Sequence, residues 1–162
     1  MAIGSATEAA FDAAKDKANS LINAETIEGK AVRVLDGDTI DVLKDGKLVR
    51  IRFDSMDAPE KSQPFGQRSK QTLTDWIGNQ MVKVDVKAED RYGRKIGVIY
   101  LNGVNINRAM VQKGMAFAYE QYLHDDQMLA LQAQAKGQKL GVWSQPENQI
   151  VKPWDYRKAN KH

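Results

Sequence analysis

Short apolar runs separated by turn signals indicate β-strands over residues 30–53. The first run ends at Asp36-Gly37, and the second lies between that turn and Asp45-Gly46, a pair that is typical of a hairpin. Apolar positions then continue along a return strand to Phe53. The pattern therefore predicts three successive strands joined by tight turns.

The middle of the chain changes from a loop to a helix and then to two more strands. Residues 54–68 contain two prolines and a glycine, which favours a loop. Residues 67–77 have the apolar spacing of a helix, and Gly78 is a suitable residue to end it. Residues 81–86 alternate between apolar and polar side chains, which indicates a half-buried strand, and a further apolar run covers residues 96–101.

Three further helices complete the predicted elements. Asn105 is a candidate N-cap for a short helix that ends at Gly114, and residues 125–137 predict a longer one. The alanine-rich residues 7–22 predict an extra N-terminal helix. Five strands and about three helices after that N-terminal one predict an α+β fold. Their order, three strands, a helix and two strands, fits a five-stranded β-barrel of the OB type.

The charge distribution divides the chain into three segments. Residues 1–28 form the predicted N-terminal helical extension and carry a net charge of −3, whereas the rest of the chain carries +6. Residues 29–149 form the predicted central domain, and residues 150–162 a basic C-terminal tail. A mildly basic body suits a polyanionic partner, although a solvated surface with some extra lysine explains the same numbers. We expect a monomer.

The composition also excludes several classes of protein. A chain of 162 residues that is 42% apolar is expected to form one soluble domain. No apolar run approaches the roughly 20 residues that would span a bilayer. The absence of cysteine excludes disulfides, thiolate nucleophiles and Cys-ligated zinc. The N-terminus shows no signal-peptide pattern. If Met1 replaces a removed signal peptide, we expect a secreted or periplasmic protein. Otherwise we expect a cytoplasmic protein.

Three separated stretches carry the groups that phosphodiester hydrolysis needs: an electrophilic metal, a positioned water and cations around the phosphate oxygens. They are Asp36-Gly37-Asp38-Thr39, Arg52 with Asp57-Ala58-Pro59-Glu60, and Arg91-Tyr92-Gly93-Arg94. The carboxylates of Asp38 and Asp57 are hard ligands that suit Ca²⁺, Mg²⁺ or Mn²⁺. Glu60 is the candidate general base, and Arg52 and Arg94 are the candidate phosphate clamps.

Each piece also has a structural explanation when it is taken alone. Asp-Gly-Asp is frequent in turns, and the glutamate and both arginines can be ordinary surface residues. Three tyrosines are able to stack on nucleobases, although packing explains them as well; they are Tyr92, Tyr119 and Tyr122. The combination of all the pieces, rather than any single one, points to a phosphodiester site.

These stretches resemble the staphylococcal nuclease (thermonuclease) family, from about Gly29 to Gln145. The resemblance is carried, in family order and spacing, by residues 34–39, 57–60, 90–94 and 140–144. The ending Lys152-Pro153-Trp154-Asp155-Tyr156-Arg157 also looks like tails of bacterial members. Residues 1–28 lie outside the resemblance.

The resemblance implies a role for each matching residue. Asp38, Asp57 and the backbone carbonyl of Ala58 would hold Ca²⁺, with Asp36 close to the metal. Ala58 stands where the founding member has threonine, and a carbonyl ligand survives that change. Glu60 would activate or position the attacking water. Arg52 and Arg94 would bind the scissile phosphate, and Arg91 and Tyr92 would contact a neighbouring one. Either Tyr119 or Tyr122 would stack on a base.

The implied activity is a Ca²⁺-dependent hydrolysis of DNA and RNA with little sequence preference, in which the 5′-oxygen leaves and 3′-phosphate ends remain. Two alternatives stay open at this point. One is a non-catalytic OB-type module that binds nucleic acid, and the other is an interaction protein that works through its N-terminal helix. The first alternative predicts the loss of carboxylates or arginines, whereas this sequence keeps all of them.

Overall fold

The computed structural model describes residues 25–161, so the helix predicted over residues 7–22 lies outside the described residues. Within them, five strands form a closed barrel: β1 Glu25–Asp36, β2 Thr39–Lys44, β3 Lys47–Phe53, β5 Met81–Glu89 and β6 Lys95–Leu101. Three two-residue strands accompany it: β4 Met56–Asp57, β7 Val104–Asn105 and β8 Phe117–Ala118. The described helices are α1 Gly66–Ile77, α2 Ile106–Gln112, α3 Gln127–Gly137 and α4 Pro153–Ala159, with 3-10 turns at Glu120–Tyr122, Gly141–Ser144 and Glu147–Gln149.

The barrel strands are hydrogen-bonded in the order β3-β2-β1-β5-β6. A parallel pairing of β3 with β6, from Ile51 opposite Lys95 to Phe53 opposite Gly97, closes the sheet on itself. Irregularities in β1 let its first half pair with β5 and its second half with β2. This three-residue closure confirms the predicted α+β fold with a five-stranded OB-type barrel.

The alternating strand pattern places one face of each strand in the core. Ile40, Ile51, Val84 and Ile99 are fully buried in the barrel, and Leu73 of α1 packs against it. Burial of such side chains is worth about 1.5–3 kcal/mol each before the loss of chain entropy is counted. The core therefore fixes which side chains of β2 and β3 point outward.

A second apolar cluster attaches the C-terminal part of the chain. Phe117 of β8 contacts Trp143 and Trp154 edge to face, at ring-centroid distances of 5.2 and 6.3 Å. Ala135 and Val142 complete the buried cluster. This packing docks α4 against the body, whereas the sequence analysis described residues 150–162 only as a basic tail.

The helix boundaries follow local signals. The side chain of Asn105 accepts a hydrogen bond from the Arg108 N–H, so it caps α2 as predicted. Pro153 begins α4 at a position where its missing N–H costs nothing. At the other end of the fold, β1 begins at Glu25, inside the segment predicted as the extension, and pairs with β5 from its first residue. None of the described helices is long and apolar enough to cross a membrane.

One buried amide joins three parts of the fold. The Asn107 side chain, on α2, is 1% exposed and accepts a 3.0 Å bond from the Ile99 N–H on β6. It also donates 3.0 Å bonds to the carbonyls of Asp54 and Gly97. Asn107 therefore links α2 and β6 to the turn after β3, from which the site residues follow.

Asn107→Leu is expected to lower the free energy of unfolding by about 2–4 kcal/mol, because the Ile99 N–H and the Asp54 carbonyl each lose a buried partner. Urea denaturation monitored by circular dichroism measures the loss. The exposed Asn148 serves as the control, and Asn148→Leu is expected to change stability by less than about 0.5 kcal/mol. Equal effects of the two substitutions would contradict a structural role for the buried amide.

Candidate active site

All the candidate residues of the sequence analysis line one cleft of about 680 Å³. They are Asp36, Asp38, Arg52, Asp57, Ala58, Glu60, Arg91, Tyr92, Arg94, Tyr119 and Tyr122. The structure adds Asp54, His124 and Arg157, whose side chains the sequence did not single out. The cleft therefore combines carboxylates, guanidinium groups and aromatic rings on one surface.

The turn between β1 and β2 supplies the first two carboxylates. Asp38 is buried, and its carboxylate accepts a 2.8 Å bond from the Ala58 N–H and a 3.0 Å bond from the Thr39 hydroxyl. The Asp36 carboxylate accepts the Asp38 N–H at 3.2 Å. This backbone bond holds the turn, so both carboxylates sit beside the loop that begins at Ala58.

The two carboxylates titrate as a pair. Burial, together with the hydrogen bond and negative charge of Asp38, raises the pKa of Asp36 well above its ordinary value. Burial also opposes ionisation of Asp38, but the positive charge of Arg52 and the hydrogen bonds to Asp38 outweigh it and lower its pKa. The surroundings therefore favour ionisation of Asp38 over that of Asp36.

Arg52 connects the first carboxylates to the third. Strand alternation buries its neighbours Ile51 and Phe53 in the core and leaves Arg52 facing the cleft, where its side chain is 14% exposed. One terminal nitrogen lies 3.2 Å from Asp38 Oδ2, and the other donates a 3.1 Å bond to Asp57 Oδ1. Arg52 thus bridges the two carboxylates that the sequence predicts as metal ligands.

Asp57 is the most enclosed acid of the cleft, with no exposed side-chain surface. It lies on β4, which pairs with β8 and places Asp57 opposite Phe117. Burial raises the pKa of Asp57 to about 6, although the bonds from Arg157 and the charge of Arg52 act in the opposite direction. Its ionised form therefore depends on the two guanidinium groups that contact it.

Arg157 of α4 contacts the predicted site residues, although the sequence analysis assigned it no role there. Its two terminal nitrogens grip Asp57, at 3.1 Å to Oδ1 and 2.6 Å to Oδ2. The first of them also donates a 2.7 Å bond to Glu60 Oε1, and the second lies 3.4 Å from the Tyr119 hydroxyl. The one signal in the sequence was that Arg157 ends a stretch, residues 152–157, that resembles the tails of bacterial family members.

The loop that carries Glu60 is held from both sides. Gln63 is buried, and its side-chain oxygen accepts the Glu60 N–H at 3.0 Å, while its amide donates a 2.6 Å bond to the Val151 carbonyl. A side chain at Gly66 would place Cβ 1.9 Å from the Glu60 carbonyl, so the close approach of α1 requires glycine there. These contacts keep Glu60 beside Asp57.

The turn between β5 and β6 supplies the remaining arginines. Asp90 organises it: the carboxylate accepts the N–H groups of Tyr92 and Arg94 and binds Arg94 Nε at 2.7 Å. The pKa of Asp90 is lowered because these bonds outweigh the effect of desolvation. Arg91 is exposed and lies over the ring of Tyr92, itself 72% exposed. The turn therefore presents two cations at the cleft.

The structure distinguishes the two tyrosines that the sequence left open. The Tyr119 ring stacks on Trp154, with centroids 5.2 Å apart and planes inclined by 7°, so one of its faces is covered. Tyr122 meets Tyr119 edge to face at 4.9 Å and is 58% exposed. Tyr122 accordingly offers the more accessible ring to a ligand in the cleft.

A buried aspartate and a histidine form a further pair on the cleft wall. His124 Nδ1 lies 2.7 Å from a carboxylate oxygen of Asp54, which is 3% exposed. Ser55, in a left-handed conformation with φ of 66°, accepts the N–H groups of His124 and Asp125 on its hydroxyl. This turn fixes the segment after Tyr122 against the barrel.

A metal site here would depend on few protein donors. Among residues 25–161, no group of three or more histidine, cysteine, aspartate or glutamate side chains is arranged to hold a metal ion. The donors predicted from the sequence, the carboxylates of Asp38 and Asp57 and the Ala58 carbonyl, belong to residues that line the cleft and are all hard oxygens. This donor set fits a cation such as Ca²⁺ or Mg²⁺ that takes its other ligands from water or substrate.

The arrangement defines a class of enzyme. Carboxylate oxygens that suit a hard cation, a further carboxylate beside them and several guanidinium groups are the groups that serve the hydrolysis of a phosphodiester.

Comparison with known proteins agrees with that class. The model of the family described as Staphylococcal nuclease homologue matches residues 50–145. A Micrococcal nuclease from Shigella flexneri is 45% identical over 145 residues, which cover 83% of this chain and 82% of that protein. An Uncharacterized endonuclease from Escherichia coli O157:H7 is 44% identical over 132 residues, covering 81% and 85%. Protein ParB from Escherichia coli is 42% identical over 147 residues, covering 84% and 82%.

The chain belongs to the staphylococcal nuclease family. It is a nuclease, and the alternative of a non-catalytic binding module is set aside. Arg157 lies outside the segment that the family model matches.

Arg52→Lys is expected to lower kcat by about 10²–10³-fold, because a single ammonium cannot hold two carboxylates and a phosphate oxygen at once. Initial rates of cleavage at saturating nucleic acid measure the effect. Arg50 on the same strand is a matched control, since it forks onto Asp41, is 45% exposed and does not line the cleft. Equal rates for Arg50→Lys and Arg52→Lys would contradict the assignment of Arg52.

Proposed function

We propose that this protein is a Ca²⁺-dependent nuclease that hydrolyses phosphodiester bonds of DNA and RNA with little sequence specificity and leaves 3′-phosphate ends. One observation carries the proposal: Asp38, Asp57, Glu60 and Arg52 line the same cleft, and Arg52 contacts two of the three carboxylates. Its partner in this proposal is the nucleic acid backbone, because phosphate contacts position a substrate without reading its sequence.

Asp38, Asp57 and the Ala58 carbonyl would hold the cation. Ca²⁺ supplies positive charge that offsets the charge of the phosphate group when it is bound. Asp36 is hydrogen-bonded to the backbone of Asp38 and would orient the turn that carries this ligand. Carboxylate and carbonyl oxygens are hard donors that suit Ca²⁺, which accepts irregular coordination more readily than the strictly octahedral Mg²⁺.

Glu60 would accept a proton from the water that attacks phosphorus. The P–O5′ bond then breaks, the 5′-oxygen leaves and takes up a proton from solvent, and the phosphate stays on the 3′-oxygen. Arg52 and Arg94 would bind the oxygens that gain negative charge as the water attacks. Arg91 and Tyr92, exposed at the cleft edge, would contact a neighbouring phosphate, and Tyr122 would stack on a base.

Cation dependence tests the first part of the proposal. Excess EGTA is expected to abolish the nicking of supercoiled plasmid and the cleavage of single-stranded RNA, and added Ca²⁺ to restore both, with Mg²⁺ giving less activity. A polymerase-extension assay checks the ends, because 3′-phosphate blocks extension until a phosphatase removes it. Full activity in excess EGTA would exclude the calcium assignment.

Glu60→Gln is expected to lower kcat by about 10²–10⁴-fold with the fold unchanged by circular dichroism, because the amide keeps the shape of the side chain and cannot accept the proton. Single-turnover cleavage of a defined oligonucleotide separates this step from binding. The exposed Glu147 provides the control substitution, Glu147→Gln. Wild-type rates in Glu60→Gln would show that another group activates the water.

A further inference from the structure

The C-terminal segment contacts the catalytic loop at several independent points. The Val151 carbonyl accepts the Gln63 amide at 2.6 Å, and the Tyr156 hydroxyl lies 2.6 Å from the Ser62 hydroxyl. Trp154 stacks on Tyr119 in the same segment. Residues 151–157 therefore hold the loop that carries Glu60 and one aromatic wall of the cleft, so the segment is part of the site rather than an appended tail.

Arg157 is the one member of this segment that contacts the reacting carboxylates. Its guanidinium forks onto both oxygens of Asp57 and binds Glu60 Oε1 at 2.7 Å. Two acids of like charge thereby share one rigid, planar cation, which sets the distance between them and the direction of each oxygen. The side chain is 39% exposed, so it reaches the site from the cleft surface.

The same contact affects any cation that binds to Asp57. Arg157 and Arg52 already occupy this carboxylate, and a divalent ion bound there would have two positive neighbours. Repulsion between like charges this close together opposes the binding of the cation, most strongly where the site is partly buried. Arg157 should therefore weaken cation binding while it improves the geometry of the carboxylates.

We propose that Arg157 is a positioning residue of this nuclease: it orients Glu60 and Asp57 for catalysis, and its charge lowers the affinity of the site for a divalent cation. The inference depends on the proposed function, since it assumes that Asp57 binds the cation and Glu60 activates the water. Its two consequences have opposite signs. Removal of Arg157 should raise the affinity for Ca²⁺ and lower kcat. Simple damage to the site would instead lower both the affinity and kcat.

The test measures Ca²⁺ binding by isothermal titration calorimetry without nucleic acid, and kcat by cleavage at saturating Ca²⁺. Arg157→Ala is expected to bind Ca²⁺ about tenfold more tightly and to lose about 10–100-fold in kcat, the usual effect of removing a residue that orients a ligand. Arg157→Gln is expected to behave in the same way, and it replaces the alanine variant in the test if that variant does not fold.

Two further substitutions separate charge from geometry. Arg157→Lys keeps the charge and loses the planar fork, so Ca²⁺ affinity should stay near that of the wild type while kcat falls. Lys158→Ala removes an equal charge from the next, exposed residue of α4 and should change neither quantity.

The possible results distinguish a failure of this inference from a failure of the proposed function. Ca²⁺ binding that is unchanged or weaker in both neutral Arg157 variants, or wild-type kcat in them, would overturn this inference while the proposed function stands. Absence of Ca²⁺ binding by the wild-type protein would overturn the proposed function and this inference together. Tighter binding combined with slower turnover would establish the inference.

Discussion

A carboxylate with no access to solvent, that of Asp57, is the constraint on which the site depends. Taking a charge out of water costs several kcal/mol unless it is paired and hydrogen-bonded. Asp57 finds one partner five residues earlier, Arg52 on β3, and the other one hundred residues later, Arg157 on α4. The ionised site therefore requires that the barrel be closed and that the C-terminal helix be docked, so the chemistry depends on both halves of the fold.

The strand pairings of the barrel fix the distances between these charged groups. Parallel pairing of β3 with β6 brings the strand of Arg52 beside the strand that follows the Arg94 turn. The short pairing of β4 with β8 places Asp57 next to the segment of Tyr119. Asn107 then ties β6 and α2 to the turn after β3 through buried hydrogen bonds. Strands thus carry Arg52 and Asp57, whereas the Glu60 loop is restrained by the C-terminal segment.

The parts that could be predicted from sequence are those with a local cause. Alternating apolar residues and Asp-Gly turns specify the barrel strands, and Asn105 specifies the start of α2. The carboxylates and two arginines were recognisable because each occurs in a short motif. The contacts of Arg157 were not, because its partners lie 97 and 100 residues away, and the resemblance of its segment to other tails assigns it no role. The covered face of Tyr119 likewise follows from packing against Trp154, which no local pattern indicates.

A nuclease site has to attract two partners of opposite charge. Carboxylates that bind a cation also repel the phosphate backbone, and arginines that bind phosphate also repel the cation. This cleft meets both demands by placing guanidinium groups directly on the carboxylates, so that Arg52 touches Asp38 and Asp57 and the field of each charge is largely offset by its neighbour. Desolvation and the neighbouring charge of Asp38 raise the pKa of Asp36, so ionisation of this second carboxyl is opposed. Lysine would balance the charge equally well, but only the planar fork of arginine can hold two acids in fixed directions while it stays protonated. The choice of arginine at these positions is therefore explained by geometry as much as by charge.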